Sequence, residues 1–499
     1  MKFIQIIGLV VCFHYFANAQ NAEWIRVIEN DKNNWITSST SNNRNKLLFG
    51  GTFSGSLTFD TTVLISSGSS DGYVSIINKN GDFIRTISWG GTQFDNTNAI
   101  EIVDDAIFMI GNTSSSSYEL LGNSYQNQNA GNEIFLARID TSLNEVIWIE
   151  SAFSQGSLNF NTSMSTDDQF INISGFYGAF QTLTYNLDGE MLWIKEFPTS
   201  NSIRSKIHRG NVFVVIDSFD VKYTNGIPIG GVYKHKLIKY NMLGEFQKQV
   251  DAFKFVSPQI GNGGGIYKIE VDKNDNVYLI GTFNEPIQFK GDTIDPLGEE
   301  KGFIAKFDNS LRPLWLKAVD NNKYQISFHK DNYWITWKEY NVVDSSFYFH
   351  LEKYDLDDIL KASYQFTSIV GNLEFIENDI YLVGYLNGQI KIHNQTYTNE
   401  GFPDFLIIKL GDSITATIET NSVNENSLKI YPNPATDEIS IESIHPIHRI
   451  QLFDSLGKLV LQVDNLNLKD YKLNLNKLSA GQYYLLVNNQ DGFKLNVSR

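Results

Sequence analysis

Five groups of residues have types or spacing that chemistry could use. Gly68-Ser69-Ser70-Asp71-Gly72 fits the G-x-S-x-G frame of a nucleophilic serine, but that frame works only on a strand–turn–helix elbow. Here it sits in a Ser-rich segment between two apolar strands and reads as a loop. Gly261 to Gly265 is glycine-rich enough to approach a phosphate, yet no Lys-Ser/Thr follows and no helix begins, so it reads as a connection. Asp272, Asn274 and Asn276 begin like a calcium loop. Such a loop needs Gly at its sixth place and a bidentate acid at its twelfth. Val277 and Phe283 stand there instead, so a polar hairpin turn is expected. His208, His235, His329, His350, His393, His445 and His448 show no metal-ligand spacing and are expected at the surface. Acids are plentiful, and two could converge for glycosidic chemistry, but nothing in their spacing selects a pair. No catalytic residue, metal ligand or cofactor is assigned.

The elements that would position such residues are β-strands. The chain has 499 residues and a net charge of −16, from 40 Lys and Arg against 56 Asp and Glu. That balance argues against nucleic acid as a partner, which needs clustered bases. With 34 Phe, 24 Tyr and 8 Trp the composition is that of a large folded β protein, not a disordered chain. Met1-Lys2, the apolar run Phe3 to Phe16 and Ala17-Asn18-Ala19 before Gln20 read as a secretory signal peptide cleaved between Ala19 and Gln20. The one cysteine, Cys12, lies inside it and follows Val11, unsuited to lipidation. No later run is long enough to span a membrane, and the exported part is expected to be free of disulfides.

One pattern recurs about every 55 residues. A short apolar strand ends in an aromatic or aliphatic anchor, often followed by Asp or Asn: Ile77, Ile139, Tyr185, Tyr240, Phe307, Tyr354 and Leu410. A turn follows, then a strand that often carries Trp, as at Trp89, Trp148, Trp193 and Trp315. Upstream lie two more alternating strands, such as Ile266 to Val271 and Val277 to Gly281. The last unit lacks its Trp strand, while Ala22 to Val27 is a surplus copy. Pairing the two would close a ring and remove a free sheet edge. A seven-bladed β-propeller over residues 20–410 is the expectation. Four connections between second and third strands are long and polar, Ser54 to Asp71, Asn112 to Asn132, Thr282 to Lys301 and Tyr385 to Asp404. Tyr118, Tyr125, Tyr397 and Phe402 within them suit a glycan or protein ligand on that face. These repeats, with F-x-G-x-L-x-F-like segments at Phe53–Phe59, Phe283–Phe289 and Tyr385–Ile392, resemble the SBBP-type propeller repeat, which implies a fold and no particular activity.

Residues 411–427 are polar and read as a linker. A second module fills residues 428–499. It opens with Tyr431-Pro432-Asn433-Pro434, continues through Asp454 to Val460 with Gly457 and Lys458, and reaches Leu478-Ser479-Ala480-Gly481-Gln482-Tyr483. Short alternating strands around these motifs predict a small antiparallel β-sandwich. The motifs resemble, in order and spacing, the type A C-terminal sorting domain of the type IX secretion system. That resemblance implies a partner, the type IX machinery, a Gram-negative source of the Bacteroidota kind, and delivery to the outer surface or the medium. The expected fold is therefore all-β, a propeller followed by a sorting sandwich, acting as a secreted binding or structural module. The alternative is an extracellular polysaccharide hydrolase or lyase working in the propeller funnel.

Overall fold

In a computed structural model the chain is all-β. It describes residues 22–410 and 428–498 apart from short segments, of which 155–161 and 256–263 are the longest. Ala19, Gln20, the linker 411–427, Gly457 and Lys458 lie outside the described residues.

Among the described residues, two strand pairs between 22 and 410 stand as separate hairpins and the other strands form seven sheets, five with four strands and two with six. Their first, inner strands are Trp35–Asn42, Asp95–Val103, Ser163–Thr166, Ile203–His208, Gly264–Val271, Gln325–His329 and Ile369–Ile376. Each packs on the next, and the last packs on the first, so the inner strands make a closed, propeller-like circle. The apolar core is divided among the seams between neighbouring sheets. Phe213, Val215 and Leu237 meet Ile266, Val277 and Phe303 in one; Leu48, Val74 and Ile76 meet Ile107, Met109 and Ala137 in another. Period-2 alternation produces this: each strand sends successive side chains to opposite faces, and both faces are covered by a neighbouring sheet.

The seventh sheet is completed by the N-terminal strand Ala22–Ile28, which pairs antiparallel with Asp404–Leu410. Trp24 lies opposite Lys409, Ile25 opposite Ile408 and Val27 opposite Leu406. The surplus Trp strand thus closes the circle.

Trp24 also shows how consecutive sheets clasp. Its indole donates to the carbonyl of Lys79 at 3.0 Å, in the outer turn of the next sheet. Trp148 donates to the Leu187 carbonyl, Trp193 to the Met242 carbonyl and Trp315 to Asp358 Oδ2. Gly81, Gly189 and Gly244 let these rings settle. Each has positive φ, and a Cβ there would lie about 3 Å from the indole of Trp24, Trp148 or Trp193. Trp89 does not belong to this group. It sits at the far end of its strand, buried, with its indole donating to Thr97 Oγ1 at 2.8 Å. The residue after six of the seven anchors is Asp or Asn because its side chain closes the turn. Asn241 Oδ1 accepts from the amides of Leu243 and Glu245, and Asp308 Oδ1 from those of Ser310 and Arg312.

The second unit, described by itself, is two packed sheets. One orders Leu428–Tyr431, Glu438–Ile447 and Leu468–Asn474; the other Leu459–Val463, Ile450–Asp454, Gly481–Val487 and Asp491–Val497. Ile439, Ile441, Ile450, Leu452, Leu473, Leu485 and Leu495 fill the space between.

Candidate functional site

The inner strands bring together charged residues that are far apart in sequence. Lys206 Nζ lies 3.0 Å from Glu270 Oε2, and Lys268 Nζ lies 3.3 Å from Glu270 Oε1. Lys268 also donates to the Ile326 carbonyl at 3.1 Å, tying the fifth sheet to the sixth. Ser39 donates to Glu374 Oε1 at 2.7 Å and Ser41 to Oε2 at 3.3 Å, tying the first to the seventh. Thr40 donates to Glu101 Oε2 at 3.3 Å, tying the first to the second. Glu101 feels both Lys206 and Glu270 across the axis. Burial pushes Glu374 up to about 7, with Glu101 adding repulsion. Burial likewise raises Glu101, against the pull of Lys206. Burial would raise Glu270 too, but Lys206 and Lys268 hold its carboxyl below the usual range. Three carboxylates and two ammonium groups thus converge from four sheets. Sequence spacing could not select them, because residues 101 and 374 become neighbours only when the circle closes.

The other candidates behave differently from a reactive site. Around Asp71 no helix follows the serine frame, and Asp71 accepts the amides of Ser67 and Gly68. Asp272 Oδ1 accepts the amides of Asn274 and Asn276, while Oδ2 accepts from Asn276 Nδ2 and the Tyr278 hydroxyl, so the D-x-N-x-N run is a self-satisfied hairpin turn. Of the 261–265 run, Gly264 and Gly265 open an inner strand; the rest lies outside the described residues. Among the described residues no group of three or more His, Cys, Asp or Glu is placed to hold a metal ion.

The histidine expectation is corrected. His235 and His350 are buried, and His208 and His329 are half-buried. His235 Nδ1 lies 2.5 Å from Asp217 Oδ1, His350 stacks on Trp337 and His329 on Phe375. Isolated histidines carry no pattern that distinguishes a surface from a strand interior. His393 and His448 lie outside the described residues, as does the side chain of His445.

The long connections are corrected as well. They are β-hairpins rather than open loops: Ser56–Phe59 with Thr62–Ile65, Ser117–Leu120 with Asn123–Gln126, Ile287–Phe289 with Asp292–Ile294, and Gln389–Ile392 with Gln395–Thr398. The second adds to the outer strand Phe83–Gly91 of the first sheet, and the third to Phe246–Phe255 of the fourth. Tyr118 is buried, stacked on Phe135 at 5.1 Å, and Tyr125 stacks on Tyr118 at 5.6 Å. Tyr397 packs against the seam of the sixth and seventh sheets. Phe402 stays exposed, and so does Trp35 at the start of the first inner strand. The apolar Phe53, Leu57 and Phe59 of the F-x-G-x-L-x-F segment are all buried, which is the packing reason for that pattern. A groove of about 540 Å³ on the closing strand is lined by Arg26, Glu29, Ser56, Asp60, Asp82 and Phe83.

In the C-terminal unit Tyr431, Pro432, Asn433 and Pro434 are exposed. The Asn433 side chain accepts the amide of Asn496 at 2.9 Å, and Ala435 exchanges backbone bonds with Asn496 and Ser498. The opening motif is therefore stitched to the end of the chain. Gly481 opens a strand, and the buried Tyr483 donates its hydroxyl to the Ser479 carbonyl at 2.8 Å.

These features define a protein with a β-propeller fold joined to a C-terminal strand-rich module. Residues 429–496 match the family described as the secretion system C-terminal sorting domain. That domain marks cargo of type IX secretion, exported to the cell surface or the extracellular space. No curated protein matches the chain. Among solved structures it is similar to the β-propeller domain of the Trilobed protease from Pyrococcus furiosus, at 11% identity over 80% of this chain and 99% of that one, with a TM-score of 0.39. It is also similar to a eukaryotic initiation factor, at 9% identity over 89% and 91%, TM-score 0.36. The AfRom2 CNH domain matches at 10% identity over 77% and 98%, TM-score 0.36.

Proposed function

We propose that the seven sheets are the blades of a seven-bladed propeller, spanning residues 20–410 after signal cleavage, which works outside the cell as a binding or structural module for a glycan or a protein. Residues 411–427 are its linker and 428–499 the part read by the type IX machinery of a Gram-negative, Bacteroidota-like host. The observation that carries the binding reading is the state of the axial acids. Glu270 is engaged by two lysines, Glu374 by two serines and Glu101 by Thr40, so the axis is cross-linked rather than poised around a substrate. Exposed Trp35 and Phe402 supply apolar contact surface of the kind ligands use. A glycan array on the purified chain, with an assay for polysaccharide cleavage, tests this. Binding without cleavage is the expected result.

A second reading, hydrolysis or lysis of a polysaccharide, draws on one observation. Burial pushes Glu374 up to about 7 with Glu101 adding repulsion, so one of the two carboxyls keeps part of its proton near neutral pH. Cleavage that is lost in Glu374→Gln would establish it. Delivery has its own test. A chain ending at Ser427 should fold and remain in the periplasm of its host, and residues 412–499 fused to an unrelated exported protein should carry it outward. Wild-type surface levels of the truncated chain would refute the sorting role.

A further inference from the structure

We propose that Asp71 and Asp95 hold a divalent cation of the calcium type where the first and second sheets meet. Asp71 begins the third strand of the first sheet, and Asp95 begins the inner strand of the second. Both are essentially inaccessible, at 2% and 0% exposure. Their carboxylates flank the same point: a Cβ on Gly90 would lie 2.9 Å from Asp95 Oδ2, 2.9 Å from Asp71 Cγ and 3.1 Å from Asp71 Oδ1. Gly90 has φ +153 and its backbone lies close against both acids, so any side chain there would crowd them.

Two further observations point to a ligand in that region. Asp95 Oδ1 and the hydroxyl of Ser70 are both buried without a hydrogen-bond partner. Among the described residues neither acid forms an ion pair with a lysine, arginine or histidine. Burying two ionised carboxylates side by side with no cation costs several kcal/mol.

The remaining groups nearby are neutral oxygens: the hydroxyl of Ser115, 2.9 Å from Asp95 Oδ2, the hydroxyl of Thr113 beside the same carboxylate, and Ser70. Two carboxylates among hydroxyls form an all-oxygen set, which suits a hard cation and not zinc. Calcium tolerates the irregular geometry of such a set better than magnesium. The ion would also have a structural task. Gly90 and Gly91 pair with Glu119 and Tyr118 of the hairpin from the second sheet, and the Gly91 amide donates to Asp95 Oδ2 at 2.7 Å. A cation here would pin that hairpin to the edge it covers. In the calcium-rich space outside the cell, affinity in the 10⁻⁴–10⁻³ M range would be enough.

The test is calcium titration of the purified, EDTA-treated chain. Calorimetry should show one site, millimolar calcium should raise Tm, and terbium should luminesce on excitation of the nearby Trp89. Asp95→Asn should lose both the calcium-dependent rise in Tm and the terbium signal. Asp71→Asn serves as the second variant if the first fails to fold, and should behave alike. A wild-type chain with no calcium-dependent shift at 10 mM overturns the proposal, the two acids then sharing a proton. So does a calcium response that persists in either variant, since the ion would then bind elsewhere.

Discussion

Replacing His235 by Phe while leaving Asp217 in place should cost far more stability than replacing both. The two residues face each other across the second and third strands of the fourth sheet, at 2.5 Å, with side chains 1% and 7% exposed. Their surroundings are apolar: the imidazole meets the rings of Phe253 and Phe255 at 6.1 and 5.6 Å. His235→Phe keeps the shape but takes the imidazole away from a buried carboxylate, which costs about 1.5–3 kcal/mol. Asp217→Leu/His235→Phe removes both polar groups and should come out between neutral and about 2 kcal/mol more stable than the single variant's parent. The register supports this, because the same position in the seventh sheet holds Tyr385 opposite Phe405, an all-aromatic pair. Arg204 lies near Asp217 but keeps its bonds to the Tyr267 and Ile203 carbonyls in the double variant. Urea denaturation at pH 7, followed by circular dichroism with a double-mutant cycle, measures the coupling. A loss below about 1 kcal/mol in His235→Phe, or a double variant as unstable as the single, would show that the pair is not what holds this seam.

Trp24→Ala should lower stability by about 2 kcal/mol, a half-buried indole and its clasp on the Gly81 turn being lost; an unchanged urea midpoint would place ring closure elsewhere. Glu374 binds its proton more tightly folded than unfolded, so its contribution to stability is fullest below about pH 4.5 and declines as pH rises toward 7. Glu374→Gln should flatten the pH dependence of Tm across that window, and a parallel profile in the variant would contradict the assignment. Limited proteolysis of the full chain should cut first within residues 411–427 and leave a resistant fragment ending near 410, whereas earlier cuts inside 22–410 would displace the proposed boundary.

The strand repeat was legible because alternation with period 2 is a local property, and the middle strands of each sheet are buried by the same kind of neighbour. The anchors, the Asp or Asn after them and the glycines of the outer turns could be read for the same reason: an Asx turn is completed within five residues. The closing strand was legible as well, since a surplus copy at one end matches a gap at the other. Tyr118 and Tyr125 were misjudged because polar neighbours conceal a hairpin whose apolar side is covered by another sheet. Trp89 was grouped with Trp148 because strand register is invisible in one dimension, and position along a strand decides whether an indole reaches the next turn or the seam behind it. For the tail, three motifs within 72 residues sufficed, because their order and spacing are read along the chain. The sequence by itself thus determined what depends on neighbours in the chain: strands, turns, the order of sheets and the exported module. Tertiary structure alone decided which charges meet. Glu101, Lys206, Glu270 and Glu374 converge on one axis, and Asp71 faces Asp95, only because each sheet contributes one radial edge to a closed circle. Electrostatic energy depends on distance in space, and the circle brings distant positions within a few ångströms that chain spacing does not encode.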